Sequence, residues 1–310
     1  MTDRGQRPLL GVCLIVLMAA GFAGMDTGVR LLRGAMPVVL MLWLRYAFQA
    51  IVMALWLSRS PNLSFHSAHP RFQLLRAALL LFTSAMIFFG LQHMPVPELT
   101  SINMLAPLLI TLLAAWLLHE TVSPLRWALV GGGLVGALLV IRPGSGLFGV
   151  AVLFPLAGVC TYAAYQVLTS RMSSLDNPYT THFWTGLIGM LLVTPLLLLD
   201  GADMWAAASA ANADQWLVML SIAVLGTAGH LLLILALGMA PTSTLMPFIY
   251  TQIPIAVGLS WLVFRQWPDA LAWLGMAVIS ACGATAAWLN LRSRPAAAAA
   301  LARGEGAAAD

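Results

Sequence analysis

Apolar runs of about twenty residues recur along almost the whole chain, and they constrain its fold more than any other feature. A stretch of about 20 apolar residues, each rising roughly 1.5 Å, matches a hydrocarbon core of about 30 Å. Hydropathy and breaker residues place such runs near 9–32, 36–57, 72–92, 96–118, 125–142, 147–170, 179–199, 215–237, 241–264 and 268–291. A water-soluble core cannot absorb this sequence: 61% of the 310 residues are hydrophobic and 8% charged, against about 25% charged in a soluble domain. Lipid is therefore the solvent, and the expected fold is all-α integral membrane, with about ten spanning helices.

Arg4 and Arg7 ahead of an apolar stretch, with small residues from Ala19 to Gly24, superficially resemble a signal peptide. The run continues to Leu32 and further spans follow, so the expectation is an uncleaved first helix. Cys13, Cys160 and Cys282 each lie inside an apolar run, without metal-ligand spacing or a disulfide pattern, and read as packing residues.

All fifteen basic residues are Arg. With an even number of spans, Arg4, Arg7, Arg59, Arg71, Arg76, Arg126, Arg171, Arg292, Arg294 and Arg303 fall on the side of the N-terminus. Arg30, Arg33, Arg142 and Arg265 fall at the other side, and Arg45 within a helix. The positive-inside rule then predicts both termini in the cytoplasm, and the expected location is a bacterial inner membrane, with multiple passes. The loop from Asp200 to Asp214, with three Asp and no Arg, is expected to face outward.

A repeat is visible. Pro37 precedes Trp43 by six residues, as Pro178 precedes Trp184. Met94-Pro95-Val96-Pro97 with Pro107 at mid-span corresponds to Met239-Ala240-Pro241-Thr242 with Pro254. Five spans per half is an odd number, so the halves enter the membrane in opposite directions, the inverted-repeat plan of secondary transporters with a central cavity. The expected organisation is a cytoplasmic N-terminus over 1–8, one five-helix repeat over 9–142, a second over 143–291, and a disordered cytoplasmic tail over 292–310.

The stretch from Pro107 through Trp116, His119 and Glu120, then Arg126-Trp127, Gly131-Gly132-Gly133, Gly136 and Arg142-Pro143-Gly144, resembles the drug/metabolite transporter superfamily in its EamA-type ten-helix branch. That resemblance covers residues 9–291. It implies a transporter with a central cavity, the fifth and tenth helices at the periphery, and substrates such as amino acids, nucleotide-like metabolites or drugs. The second half keeps Pro254 but has Trp267 where the counterpart of Glu120 would fall, so any role of that carboxylate is carried to Glu120 alone.

An ionised group at mid-span costs about 2.5–3.5 kcal/mol, so Asp26 and Arg45 need a reason to be there. Adjacent antiparallel helices put them at comparable depth, where they form either a substrate-orienting or proton-coupling site or a packing salt bridge. Gly186 stands near the position of Arg45 in the second half, an asymmetry that favours function. Asn103 lies four residues before Pro107, and Tyr250 four before Pro254 with Gln252 beside it. Each proline frees a backbone carbonyl, so these polar groups either face a cavity or glue the bundle. Tyr162, Tyr165 and Gln166 in span six, Trp184 in span seven and His230 in span eight complete an aromatic and polar lining for a planar or cationic substrate. Glu98, Pro107, Glu120 and Pro254 are assigned structural or gating roles. Gly132 and Gly136 form a GxxxG pattern, for packing within the chain or for a homodimer contact.

The function expected is a secondary transporter of a small metabolite by alternating access, with proton coupling or exchange as energy sources. Its partners are a small-molecule substrate and membrane lipid, without nucleic acid or cofactor. The alternatives are an intramembrane enzyme acting on a lipid, which lacks a clustered acid, base or metal set in this sequence, and a passive channel or scaffold, for which no filter sequence or charge ring is present.

Overall fold

The computed structural model describes residues 8–61, 63–109, 124–142, 148–172, 176–199, 201–239, 245 and 248–302. Helices account for nearly all of these, with no strand among the described residues. In order they are α1 Pro8–Leu31, α2 Val38–Arg59, α3 Pro70–Leu91, α4 Val96–Asn103 and α5 Pro124–Ile141 in the first half. The second half has a short 3-10 turn at Gly149–Val152, then α6 Leu153–Met172, α7 Pro178–Leu199, α8 Gly201–Ala210, α9 Ala213–Met239, α10 Gln252–Phe264 and α11 Ala270–Ala302. Among the described residues six helices are long and apolar enough to cross a bilayer, and Trp127–Ile141, Gln252–Phe264 and Ala270–Ala286 form shorter apolar segments. The protein is a multi-pass membrane protein. Its apolar residues point outward as well as inward: Leu17, Ile51 and Leu138 are each more than half exposed, as lipid-facing positions must be.

Proline sets most of the boundaries. It lacks an N–H that the first helical turn does not use anyway, so Pro70 and Pro178 open α3 and α7, and Pro37 caps α2. In the fourth and ninth spans the same residue interrupts the helix, where the sequence suggests continuous helices kinked at mid-span. α4 stops at Asn103, turns at 104–105 and resumes over 106–109 with Pro107 in its first turn. A turn at 250–251 precedes α10, whose third residue is Pro254. A proline ring clashes with the carbonyl four residues back, so the chain breaks and restarts. Glu120, His119 and the expected inner half of the fourth span lie outside the described residues, as does Pro241.

Two further differences concern segments between and after the spans. The loop around Asp203 contains α8, none of whose residues is buried; its Ala content and the carboxylate in its first turn favour a helix. Beyond Arg292, α11 continues through the alanine run to Ala302, since Ala is the strongest helix former.

Packing follows an internal two-fold relation. α1 packs most closely on α9 and α3 on α6, while α2 pairs with α7, α4 with α10 and α5 with α11. Exchanging the halves converts the first pair into the second and leaves the other three unchanged, as two inverted five-helix repeats require. Glycine permits the closest of these contacts. A Cβ on Gly136 would lie 2.9 Å from the Gly275 carbonyl oxygen, and one on Gly275 would lie 2.6 Å from that of Gly136. A Cβ on Gly132 would meet Cys282 Sγ at 2.7 Å. The GxxxG glycines are thus occupied by α11 of the same chain.

Backbone cannot yield as a flexible side chain can, so Gly136→Val and Gly275→Val are each expected to cost about 1–3 kcal/mol through overpacking. Gly131→Val, at a position with nothing within 4 Å, is expected to cost less. Thermal unfolding of the purified variants in detergent checks the ranking.

Candidate functional site

The six helices related in pairs by the internal symmetry, α1, α3, α4, α6, α9 and α10, surround a cavity of about 120 Å³. Its polar lining is Asp26 from α1, Arg45 from α2, Thr83 and Ser84 from α3, Asn103 from α4, Tyr162 and Gln166 from α6, His230 from α9 and Gln252 from α10. Met18, Phe22 and Met25 supply an apolar wall on the α1 side, and Phe88 on α3.

Asp26 and Arg45 share this cavity without forming the salt bridge that their depth allows. Among the described residues the one ion pair joins Arg142 to Asp269, far from here in the chain and at the opposite end of α1 from its start. The Arg45 guanidinium lies instead over the Tyr46 ring, 4.7 Å from its centroid, and Nη1 donates a long 3.3 Å hydrogen bond to Ser84 Oγ. Tyr46 and Ser84 hydroxyls are 3.1 Å apart, so Ser84 ties the two together. A Cβ on Gly226 would lie 2.7 Å from Arg45 Nε, so the absence of a side chain on α9 there makes room for the guanidinium. Asp26 Oδ1, Arg45 Nε and Asn103 Oδ1 are buried atoms with no hydrogen-bond partner in the protein. A buried polar group in a folded protein normally has a partner, so a cavity edged by three unsatisfied ones fits a polar ligand.

Six of the nine sequence-derived contact residues converge here: Asp26, Arg45, Asn103, Tyr162, His230 and Gln252. His230 packs edge-on against Phe22, with ring centroids 4.8 Å apart. The remaining three have other occupations. Tyr165 stacks on Tyr162 and accepts a 3.2 Å hydrogen bond from Arg76. Trp184 donates to the Phe65 carbonyl in the segment before α3. Tyr250 donates 3.3 Å to the Met104 carbonyl, so the turn before α10 supplies a donor for a carbonyl that the α4 break releases. Its hydroxyl also fills the place that a side chain on Gly283 would take. Pro107 lines the cavity, whereas Pro254 is exposed. Glu98 lies in the first turn of α4 with Oε2 unpartnered, near Arg30, whose guanidinium donates to the Met94 carbonyl and to Gln266 Oε1.

Sequence reasoning missed a buried polar layer between the cavity and the face at which α1 begins. Arg76 is only 1% exposed. Its guanidinium donates to the Thr181 carbonyl at 2.8 Å, to Thr185 Oγ1 and to Tyr165, tying α3 to α6 and α7. Gln49 of α2 donates to His182 Nδ1 at 3.2 Å and to the His182 carbonyl at 2.9 Å, and His182 faces His230 with centroids 6.4 Å apart. Counting Arg76 among the interfacial arginines hid it, although it lies inside the apolar run beginning at 72. At that same face the loops of the two halves are stitched together. Asp176 accepts hydrogen bonds from Ser67 Oγ, Ala68 N–H and Gln73 Nε2, and Thr180 donates to the Ser64 carbonyl. No three His, Cys, Asp or Glu side chains converge as a metal-ligand set among the described residues.

The sequence matches the EamA-like transporter family twice, over residues 9–142 and 149–286. It is 26% identical over 268 residues to a riboflavin transporter of Brucella anthropi, covering 85% of this chain and 90% of that one. It is 22% identical to an S-adenosylmethionine uptake transporter of Rickettsia bellii, covering 76% and 78%. A solved crystal structure shares the fold with a TM-score of 0.64 and 21% identity, covering 92% of this chain and 97% of that chain.

Partial burial works to raise the pKa of Asp176, but the hydrogen bonds from Ser67, Gln73 and Ala68 together outweigh it and hold the carboxyl below its usual range. A carboxyl lowered on folding adds stability above its unfolded value of about 3.9 and loses it as pH falls through the folded value. Thermal unfolding scanned downward from pH 6 is therefore expected to show a loss of stability below about pH 4. Asp176→Asn should be less stable at pH 6 and should lack that part of the slope.

Proposed function

Because the chain belongs to the EamA-like transporter family, it moves a small metabolite across a membrane, and we propose that this metabolite is planar and polar, of the riboflavin kind, and binds in the cavity between the halves. The relatives that carry riboflavin match most of both chains. A fused aromatic ring suits the faces offered by Phe22 and Tyr162. Its heteroatoms meet the groups left over for a ligand: Asp26 accepts from a ring N–H, while Asn103 and Gln252 donate to or accept from the polar edge. One observation carries this reading: groups of opposite charge, Asp26 and Arg45, face the same cavity without closing into an ion pair. A salt bridge that only fastened α1 to α2 would be closed.

In this reading the repeats extend over 9–142 and 143–291 and rock against each other about the cavity, exposing it to one side and then the other. The arginine distribution supports both termini in the cytoplasm, and the bacterial relatives support a bacterial inner membrane. The loops joined through Asp176 then lie on the cytoplasmic side and part when the cavity opens there. Glu98 and the prolines at the two helix breaks serve the opening rather than the substrate. The unit is one chain with lipid against its outward apolar faces, since a homodimer through Gly132 and Gly136 would displace α11.

Proteoliposomes loaded and washed with riboflavin, read by its fluorescence, test this. Uptake and accelerated exchange are expected for the intact protein. Asp26→Asn and Arg45→Gln each remove a hydrogen bond to a charged group, about 1.5–3 kcal/mol, and should slow transport at least about tenfold with insertion unchanged. Transport at the original rate by both variants would remove the charge site, and an intact protein inert toward riboflavin would remove the substrate.

A further inference from the structure

Among the described residues, the charges buried around the cavity do not balance. Arg45 and Arg76 are each 1% exposed, and the carboxylate that accompanies them at this depth is Asp26, 3% exposed. None of the three has an ion-pair partner among the described residues. Arg76 is held by three acceptors on α6 and α7, so its charge is fixed in place even though it does not line the cavity. Arg76 bonds to Thr181 and Thr185 of α7, and Arg45 Nε lies against Gly226 of α9, so both charges stand on the α7 and α9 side of the cavity. The hydrogen-bonding groups beside them, among them Gln49, Ser84, Thr185 and Thr227, are neutral and relieve none of the surplus.

A guanidinium in this position is costly without an anion, and removal of a partner from a buried charge costs several kcal/mol. Arg45 has the least support. One 3.3 Å hydrogen bond and a ring face occupy it, and Nε has no partner. The planar fork of Arg matches a carboxylate or phosphate in two-point contact. Gly226 keeps the neighbouring face of α9 free of side chain, so the guanidinium has room to settle.

We infer that the cavity takes a substrate bearing an oxyanion, a carboxylate or phosphate, which seats on Arg45 while Asp26 holds a donor on the same molecule. The inference rests on the transporter reading above and narrows its substrate: a neutral flavin is the poorer ligand, and an anionic one the better.

The test uses the purified full chain in detergent and three flavins followed by fluorescence. They are riboflavin, riboflavin 5′-phosphate, and a flavin carrying a carboxymethyl group at N10. At least one anionic flavin is expected to bind about tenfold tighter than riboflavin, about 1.4 kcal/mol, and whichever gains identifies the oxyanion. The advantage should vanish in Arg45→Gln. It should shrink in Gly226→Ala, which leaves every charge in place and presses on the guanidinium, so a misfolded Arg45→Gln would not block the comparison. Riboflavin binding as tightly as both anionic flavins, or an advantage unchanged in the variants, overturns the inference and leaves the riboflavin reading standing. If no flavin binds, the riboflavin reading fails, and inorganic phosphate and acetate decide the oxyanion site. Titrated at constant ionic strength, either one raising the unfolding temperature of the intact protein but not of Gly226→Ala or Arg45→Gln supports the site. The absence of any rise overturns it.

Discussion

Hydrocarbon offers no hydrogen bonds, and this one property of the solvent governs the structure. Every backbone amide crossing the membrane must find its partner within the protein, so the described spans are helical except where something else supplies the bond. The two interruptions show how. Pro107 and Pro254 each break a span near its middle, and the carbonyl of Met104 released at one break is met by the hydroxyl of Tyr250 at the other. The breaks at Met104 and Tyr250 are thus buried at the interface of the halves, beside a cavity.

The same property makes the buried side-chain network decisive. Hydrophobic association does not drive one helix against another when lipid is equally apolar, so close glycine contacts and polar bonds hold the bundle. Gly136 against Gly275 fastens the peripheral pair α5 and α11. Arg76 and Gln49, by contrast, spend their donors across the seam between halves, on α6 and α7. Groups that bridge the seam at one face must separate if the cavity is to open there, so the polar bonds hold the state seen here while the glycine pair can remain intact. Asp26 and Arg45 stand apart from both sets because their bonding capacity is only partly used.

Some of the site was legible because lipid makes charge conspicuous. A carboxylate and a guanidinium at mid-span, Asp26 and Arg45, stand out by the cost of placing them there, and the polar residues one turn before each proline stand out by the carbonyls the prolines release. Tyr165 and Trp184, read as an aromatic lining, and Tyr250, one turn before Pro254, have side chains that bond instead to Arg76, Phe65 and Met104. Helical position places a residue at a depth; which neighbour its side chain meets depends on rotations that no run of hydropathy encodes. Arg76, Gln49 and His182 were hidden for the complementary reason. Arg76 and His182 lie near enough to a span start to pass for interfacial groups, Gln49 is an uncharged residue at mid-span, and burial by a helix more than 100 residues away along the chain becomes visible only after packing.

The amino-acid sequence by itself determined the solvent, the helical class and the paired construction, since apolar length, proline spacing and an odd number of spans per half are local properties that one chain displays without folding. Tertiary structure alone decided which polar groups remain unsatisfied. Whether Asp26 and Arg45 close on each other, or whether Ser84, Tyr46 and the gap at Gly226 hold the guanidinium toward an open cavity, depends on contacts among α1, α2, α3 and α9. Those contacts arise only when the two halves meet.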